Sequence, residues 1–164
     1  GTVAEIRGIA IASHLEEEKV AMRMAEQVRK LIMQRGHGHA KIQTIEDSTA
    51  VQKGAALLLL AETDTGCILG ADQVGKRGRR SENIADFVVK SLTEDLKAGG
   101  TTDRHAADQL ILFAALAEGR SEYLIPRVTE HLHSNLWLVH KILGAKTELD
   151  GNLVRIEGIG FQAP

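Results

Sequence analysis

The densest collection of chemistry-bearing residues is the stretch TEHLHSNLWLVH at 129–140, which holds three of the chain's seven histidines, His131, His133 and His140. A shared metal ion is the first chemistry to test against their spacing. On a helix, residues two apart project about 200° apart, so His131 and His133 face opposite ways. His133 and His140 share a face, but two turns put roughly 10 Å of helical rise between them, too far for one ion. A further pair, His37 and His39, sits in the short HGH stretch with no evident third ligand. No metal site is assigned.

A nucleophile fits the first stretch better. It falls at an expected strand-to-helix transition, which places His131 in the first turn of a helix. Unpaired backbone N–H groups and the positive end of the helix dipole gather there and suit a phosphate. The same field favours the neutral imidazole, the form that can attack a phosphoryl group and carry it covalently. The plainer alternative, a solvated histidine with no task, stays open on position alone.

Two other stretches invite a chemical reading. In HAADQLILFAALA (105–117), Asp108 and Gln109 interrupt an otherwise apolar run. Burying a carboxylate without a partner is costly, so the two either reach a ligand, edge a cleft, or lie on one exposed stripe at the helix start. In GKRGRR (75–80), Lys76, Arg77, Arg79 and Arg80 stand between glycines just before a helix. Such a flexible basic loop suits a phosphate backbone, and a solvated charge run is the alternative. It lacks the spacing and Gly-Lys-Ser/Thr ending of a nucleotide-cradling P-loop.

The elements that must position these groups follow from periodicity. Residues 5–13 read as a strand. Residues 15–36 read as an amphipathic helix with acids at its start, cations at its end and Gly36 as its stop. KIQTIED, 54–63 and 66–74 read as strands, the last two joined by the turn at Asp64-Thr65-Gly66. Residues 81–100 read as a second amphipathic helix, with Ser81 as its cap and Gly99-Gly100 as its end. Beyond it, 101–119 is helical and apolar on almost every side, so deep burial is expected. SEYLIPRV is the next strand, followed by a helix over about 130–143 and a hairpin around Asp150-Gly151. The expectation is a mixed α/β (α+β) chain: a β-α-β-β-β-α unit, then an α-β-α-β-β piece with too few elements to cover its own apolar helix. The lone Trp137 and the EGIG tail (157–160) ask for no more than a core or cleft aromatic and a turn.

Composition narrows the classes. The chain has 164 residues, 43% hydrophobic and 26% charged, and a formal net charge of −2. That is enough for a sizeable core and too apolar for a disordered polymer. Nucleic acid, if bound, must meet a local basic patch. No membrane-spanning run stands out, and the single cysteine, Cys67, excludes an internal disulfide and points to a reducing, cytoplasmic setting.

In order along the chain, GADQVGKRGRRSENIA, AGGTTDRHAADQLILFAALAEG, TEHLHSNLWLVHKIL and RIEGIGF resemble the C-terminal half of the RNA 3′-terminal phosphate cyclase family. The specific part is the pairing of ADQLILFAALAEG with the His-x-x-Ser/Thr-Asn pattern at His131–Asn135. The resemblance implies a small inserted domain over 1–99. Residues 100–164 would then complete the third of three β-α-β-α-β-β repeats in the catalytic domain, with the N-terminal repeats outside this chain. It further implies ATP and a divalent cation (Mg or Mn) as cofactors, and RNA with a 3′-phosphate end as substrate. The reaction is a ligase-type nucleotidyl transfer in which a histidine takes AMP from ATP and passes it to the RNA 3′-phosphate, and the 2′-hydroxyl then closes a 2′,3′-cyclic phosphodiester. By position, His131 is that nucleophile, and His105, Ala106, Ala107, Asp108 and Gln109 match the nucleotide-contacting segment. Many members carry an aromatic where this chain has His105, and His133 occupies a variable place. The N-terminal half of the enzyme is the implied protein partner and supplies further basic residues, so inactivity of these residues alone is expected. The rival readings are a non-catalytic cyclase-like factor in ribosomal RNA processing and a plain interaction module. A nucleophile-position histidine counts against the former.

Overall fold

A computed structural model describes residues 1–162. The chain divides into two compact units, one over Gly1–Glu94 and the other from Asp95 onward.

The first unit is built as β1 (Val3–Ser13), α1 (Val20–Gln34), β2 (Ala40–Asp47), β3 (Gly54–Thr63), β4 (Ile68–Val74) and most of α2 (Ser81–Lys97). Its four strands lie in the order β2-β1-β3-β4. β1 and β2 are parallel and are joined by α1, as a parallel pair requires a crossover; β1–β3 and β3–β4 are antiparallel. Alternation along the strands sends Ile6, Ala10, Ile42, Leu57, Leu59 and Leu69 into the core, which Met24, Val28 and Ile32 of α1 close from the helix side. The two helices are tied at their polar edges. Arg23 grips Glu82 through Nε (3.0 Å) and Nη2 (2.8 Å), and Gln27 donates to Asp86 at 2.8 Å.

The second unit contains α3 (Ala106–Leu116), β5 (Glu118–Leu124), α4 (Glu130–Leu143), β6 (Lys146–Asp150) and β7 (Leu153–Ile159). The strands form an antiparallel sheet in the order β5-β7-β6. Val154 and Ile156 of β7 face a core completed by Ala107, Ile111 and Ala115 of α3 and Leu132, Leu136 and Val139 of α4. The other face is wet, carrying an ion-pair ladder from Arg120 to Glu122 to Arg155 to Glu148. No helix among the described residues is long and apolar enough to cross a membrane.

The element order is the expected one, and the differences lie at boundaries and in burial. Residues 16–19 form a turn closed by the Lys19 N–H to the Glu16 carbonyl, and Lys19 is left-handed (φ 51°), so α1 starts at Val20 and the acids precede it. Ser81 is helical rather than a flanking cap, because the Arg80 carbonyl already accepts from the Ile84 amide. β5 runs earlier than expected. Its register with β7 covers 118 to 124, and Pro126 has no N–H to continue a ladder. Only residues 106–116 of the apolar run are helical, and their burial is one-sided: Ile111 is buried while Leu112 (50%) and Phe113 (68%) are exposed. A three-stranded sheet covers one face of a helix and no more. Trp137, 61% exposed, fills no core.

The EGIG tail does more than turn. A Cβ on Gly158 in β7 would run into the carbonyl oxygens of Ala117 and Ala114 at the end of α3. Gly158 therefore permits a close approach of the end of α3 to β7. Gly158→Ala is expected to destabilise the unit by about 1–3 kcal/mol. A urea titration checks it, with a lower midpoint at unchanged slope as the expected result.

Candidate functional site

The site is prepared by the segment between α2 and α3, residues 98 to 105. In the last turn of α2, the Asp95 carboxylate is 3% exposed and would be costly to bury alone. Arg104, itself 13% exposed, closes on it with Nη2 to Oδ1 at 2.7 Å and Nε to both oxygens at 3.0 Å. The Arg104 backbone N–H adds a fourth contact, to Oδ2 at 2.9 Å. Thr101 ties the same segment to the end of β5, its amide donating to the Leu124 carbonyl (2.8 Å) and its hydroxyl accepting from the Leu124 amide (2.9 Å). Asp103 then starts α3. Its carboxylate accepts from the amides of His105 (2.9 Å) and Ala106 (2.8 Å), and its carbonyl accepts from the Ala107 amide.

In the first turn of α3, His105 and Gln109 are exposed, Ala106 and Asp108 half-buried, and Ala107 buried. Two side chains from other elements hold the backbone here. The Tyr123 hydroxyl of β5 donates to the Ala107 carbonyl at 3.0 Å, and the Asn135 amide of α4 donates to the next carbonyl, Asp108, at 3.2 Å. Burial, then the nearby Asp108 carboxylate, pushes the Tyr123 phenol up to about 12.

α4 begins at Glu130 under a cap from Thr129, whose hydroxyl accepts from the Leu132 amide at 3.1 Å. That cap takes the third amide of the helix, and helical geometry offers no acceptor to the first two, those of Glu130 and His131. His131 is the second helical residue and is exposed. Asn135 follows it by four residues, about 40° further round the helix, so the two share the side of α4 from which Asn135 reaches α3. The three histidines separate as the helix geometry requires. His133 is exposed on another face, and His140 Nδ1 lies 3.1 Å from the Ala145 carbonyl, which can only accept, so this nitrogen donates. Among the described residues, no three His, Cys, Asp or Glu side chains are grouped to hold a metal ion.

The basic loop lies in the first unit. Lys76, Arg77 and Arg79 line a cavity of about 610 Å³, while Arg80 turns to Glu82 at 3.6 Å.

What the arrangement can do follows from these placements. An exposed imidazole at a helix start, with first-turn amides beside it, can attack a phosphorus and hold the adduct while those amides receive its oxygens. The α3 start beside Asn135 is fixed from three sides and offers Asp108 and Gln109. The residues that do this fixing, Asp95, Thr101, Asp103, Arg104 and Tyr123, were not singled out from the sequence. Asp103, three residues ahead of the apolar run, carries a readable cap signature. The partners of Asp95 and Tyr123 are tertiary and leave none.

Two outcomes are expected. Arg104→Ala leaves the Asp95 carboxylate buried without its cation and destabilises the unit by about 3–5 kcal/mol, measured by denaturant unfolding. Tyr123 keeps its proton in the fold to higher pH than in the unfolded chain. Its contribution is therefore complete below the unfolded value near 10 and is lost as pH rises toward 12. The stability of the wild type should fall through that window more steeply than that of Tyr123→Phe.

Comparison with known proteins places the chain in a family. The model of the RNA 3′-terminal phosphate cyclase (RTC) insert domain matches residues 1–97. A curated RNA 3′-terminal phosphate cyclase of Pyrobaculum neutrophilum is 32% identical over 165 residues, covering 98% of this chain and 47% of the relative. That of Pyrococcus abyssi is 35% identical over 156 residues, 93% of this chain and 43% of its own length. A relative of the same name, from Methylococcus capsulatus, is 31% identical over 163 residues, 96% of this chain and 44% of its own. The chain thus spans a little under half the length of these relatives.

Proposed function

The chain belongs to the RNA 3′-terminal phosphate cyclase family, and on that premise we propose that it carries the nucleotidyl-transfer residues of an ATP-dependent cyclase acting on RNA 3′-phosphate ends. His131 is the nucleophile. Its Nε2 attacks the α-phosphorus of ATP, an N–P bond forms, the bond to the β-phosphate oxygen breaks and pyrophosphate leaves. The histidine-bound AMP passes to an oxygen of the RNA 3′-phosphate, freeing the imidazole. The 2′-hydroxyl oxygen then attacks the activated 3′-phosphorus, loses its proton, and AMP departs, leaving the 2′,3′-cyclic phosphodiester.

The observation that carries this reading is the bond from Asn135 to the Asp108 carbonyl. It joins the two stretches the reading needs, the His131–Asn135 pattern on α4 and the His105–Gln109 start of α3. His105, Ala106, Ala107, Asp108 and Gln109 are the nucleotide contacts in this proposal, with His105 and Gln109 exposed enough to touch a base or ribose. A divalent cation would enter with the nucleotide phosphates. It would be held chiefly by those phosphates, since among the described residues no three His, Cys, Asp or Glu side chains are grouped to hold one. The remaining stabilisation of the α-phosphate comes from first-turn amides of α4 and from the rest of the enzyme, for which the N-terminal half is the proposed partner. A cytoplasmic location goes with this reading.

Incubating the chain together with its N-terminal half and α-labelled ATP tests it. Acid-labile label on the protein is expected, reduced on the order of 10³-fold or more in His131→Ala. Equal labelling of His131→Ala, or no label on the wild-type assembly, overturns the assignment.

A further inference from the structure

The cavity beside the basic loop is formed entirely within the first unit and has no part in the chemistry above. Lys53, from the β2–β3 connection, joins Lys76, Arg77 and Arg79, from the β4–α2 connection, along its wall, and Leu15, Val20 and Ile84 form an apolar floor. All four cations are exposed. None makes an ion pair among the described residues, and no carboxylate lines the cavity. The nearby acid is already committed. Glu82 accepts from Arg23 at 2.8 and 2.9 Å and attracts Arg80 at 3.6 Å, which removes Arg80 from the loop's free charge. In a chain of net charge −2, four unneutralised cations around one 610 Å³ cavity are a local concentration, not a reflection of the whole.

We propose that this cleft anchors the phosphodiester backbone of single-stranded RNA, holding the substrate strand by nucleotides other than its terminal phosphate. The choice of RNA among polyanions rests on the function proposed above. The geometry argues for a strand over a small anion. Exposed Lys and Arg side chains from two separate loops make a wet, distributed contact, whereas selecting one phosphate calls for buried, converging donors. Gly54, Gly75 and Gly78 leave the rim without bulk, so a backbone can lie against it. The floor is aliphatic and no aromatic lines the cavity, so base stacking is absent and sequence preference should be weak. Arg79 also donates to the Val74 carbonyl at 3.5 Å, which leaves Lys53, Lys76 and Arg77 as the adjustable contacts.

The test needs neither ATP nor His131. A labelled RNA of about 12 nucleotides ending in a 3′-phosphate is titrated with the 164-residue chain at several salt concentrations, and binding is read by fluorescence anisotropy. Each phosphate-contacting cation adds about 0.7 to the slope of log affinity against log salt for a single strand. The triple variant Lys53→Ala, Lys76→Ala, Arg77→Ala should therefore lose about 2 from that slope and at least about tenfold in affinity. Its exposed positions keep the fold intact, as circular dichroism would show. Oligo-U and oligo-A should bind alike. An unchanged slope in the triple variant overturns the proposal. So does complete displacement of the RNA by inorganic phosphate at matched ionic strength, or equal binding of an acidic peptide of the same charge. Because His131 is untouched in the triple variant, a failure here leaves the cyclase assignment standing, and failure of protein labelling leaves this measurement readable.

Discussion

The second unit depends on one buried ion pair. Arg104 and Asp95 meet through three side-chain contacts and one from the backbone, in a setting where either charge alone would be costly. Closing that fork fixes the chain from Asp95 to Arg104. It delivers Asp103 to the position from which its carboxylate collects the amides of His105 and Ala106. The start of α3 is therefore set before any packing against the sheet is considered. Tyr123 and Asn135 then take hold of the consecutive carbonyls of Ala107 and Asp108. Through Asn135, this placement is passed to α4 and so to the turn that presents His131.

That order of dependence separates the exposed groups of the candidate site from the groups that hold them. His131, Asp108 and Gln109, the groups proposed to meet a nucleotide, are left partly or wholly open. The residues behind them are capped, forked or clamped. A hydrogen bond between side chain and main chain is worth about 1 kcal/mol, so no single clamp decides the geometry. Their convergence on the four residues from His105 to Asp108 does. Gly158 belongs to the same scheme from the opposite end of α3, where it lets the helix carbonyls sit directly on β7.

The apolar surface of the second unit has a simple cause. Three strands provide one covered face, and two helices of 11 and 14 residues spend their small and branched residues on it. Leu112, Phe113, Trp137 and Ile142 remain on the far side, between 50% and 70% exposed. An isolated exposed apolar residue is ordinary, but several on adjoining helices are not. The chain's coverage of less than half the length of its relatives is the setting in which that surface is found.

Much of this protein was legible along the chain. Periods of two and of about 3.6, with Gly66, Asp150-Gly151 and Gly36 as punctuation, suffice for the order of the eleven elements among the described residues, because those signals are local. The spacing of three histidines on one helix argued against a shared metal ion, since helical geometry is the same in every fold. Other features belong to the tertiary structure alone. Deep burial of the 101–119 run was expected from its composition, yet burial depends on how many neighbours the fold provides. Ser81 lost its capping role to the backbone of Arg80, and Arg80 left the basic loop for Glu82, because each choice hangs on a competitor adjacent in space. The fork between Asp95 and Arg104 and the bond from Asn135 to Asp108 span 9 and 27 residues of chain. A pattern of residue types records which groups want partners; only the folded chain decides which partners come within hydrogen-bonding distance.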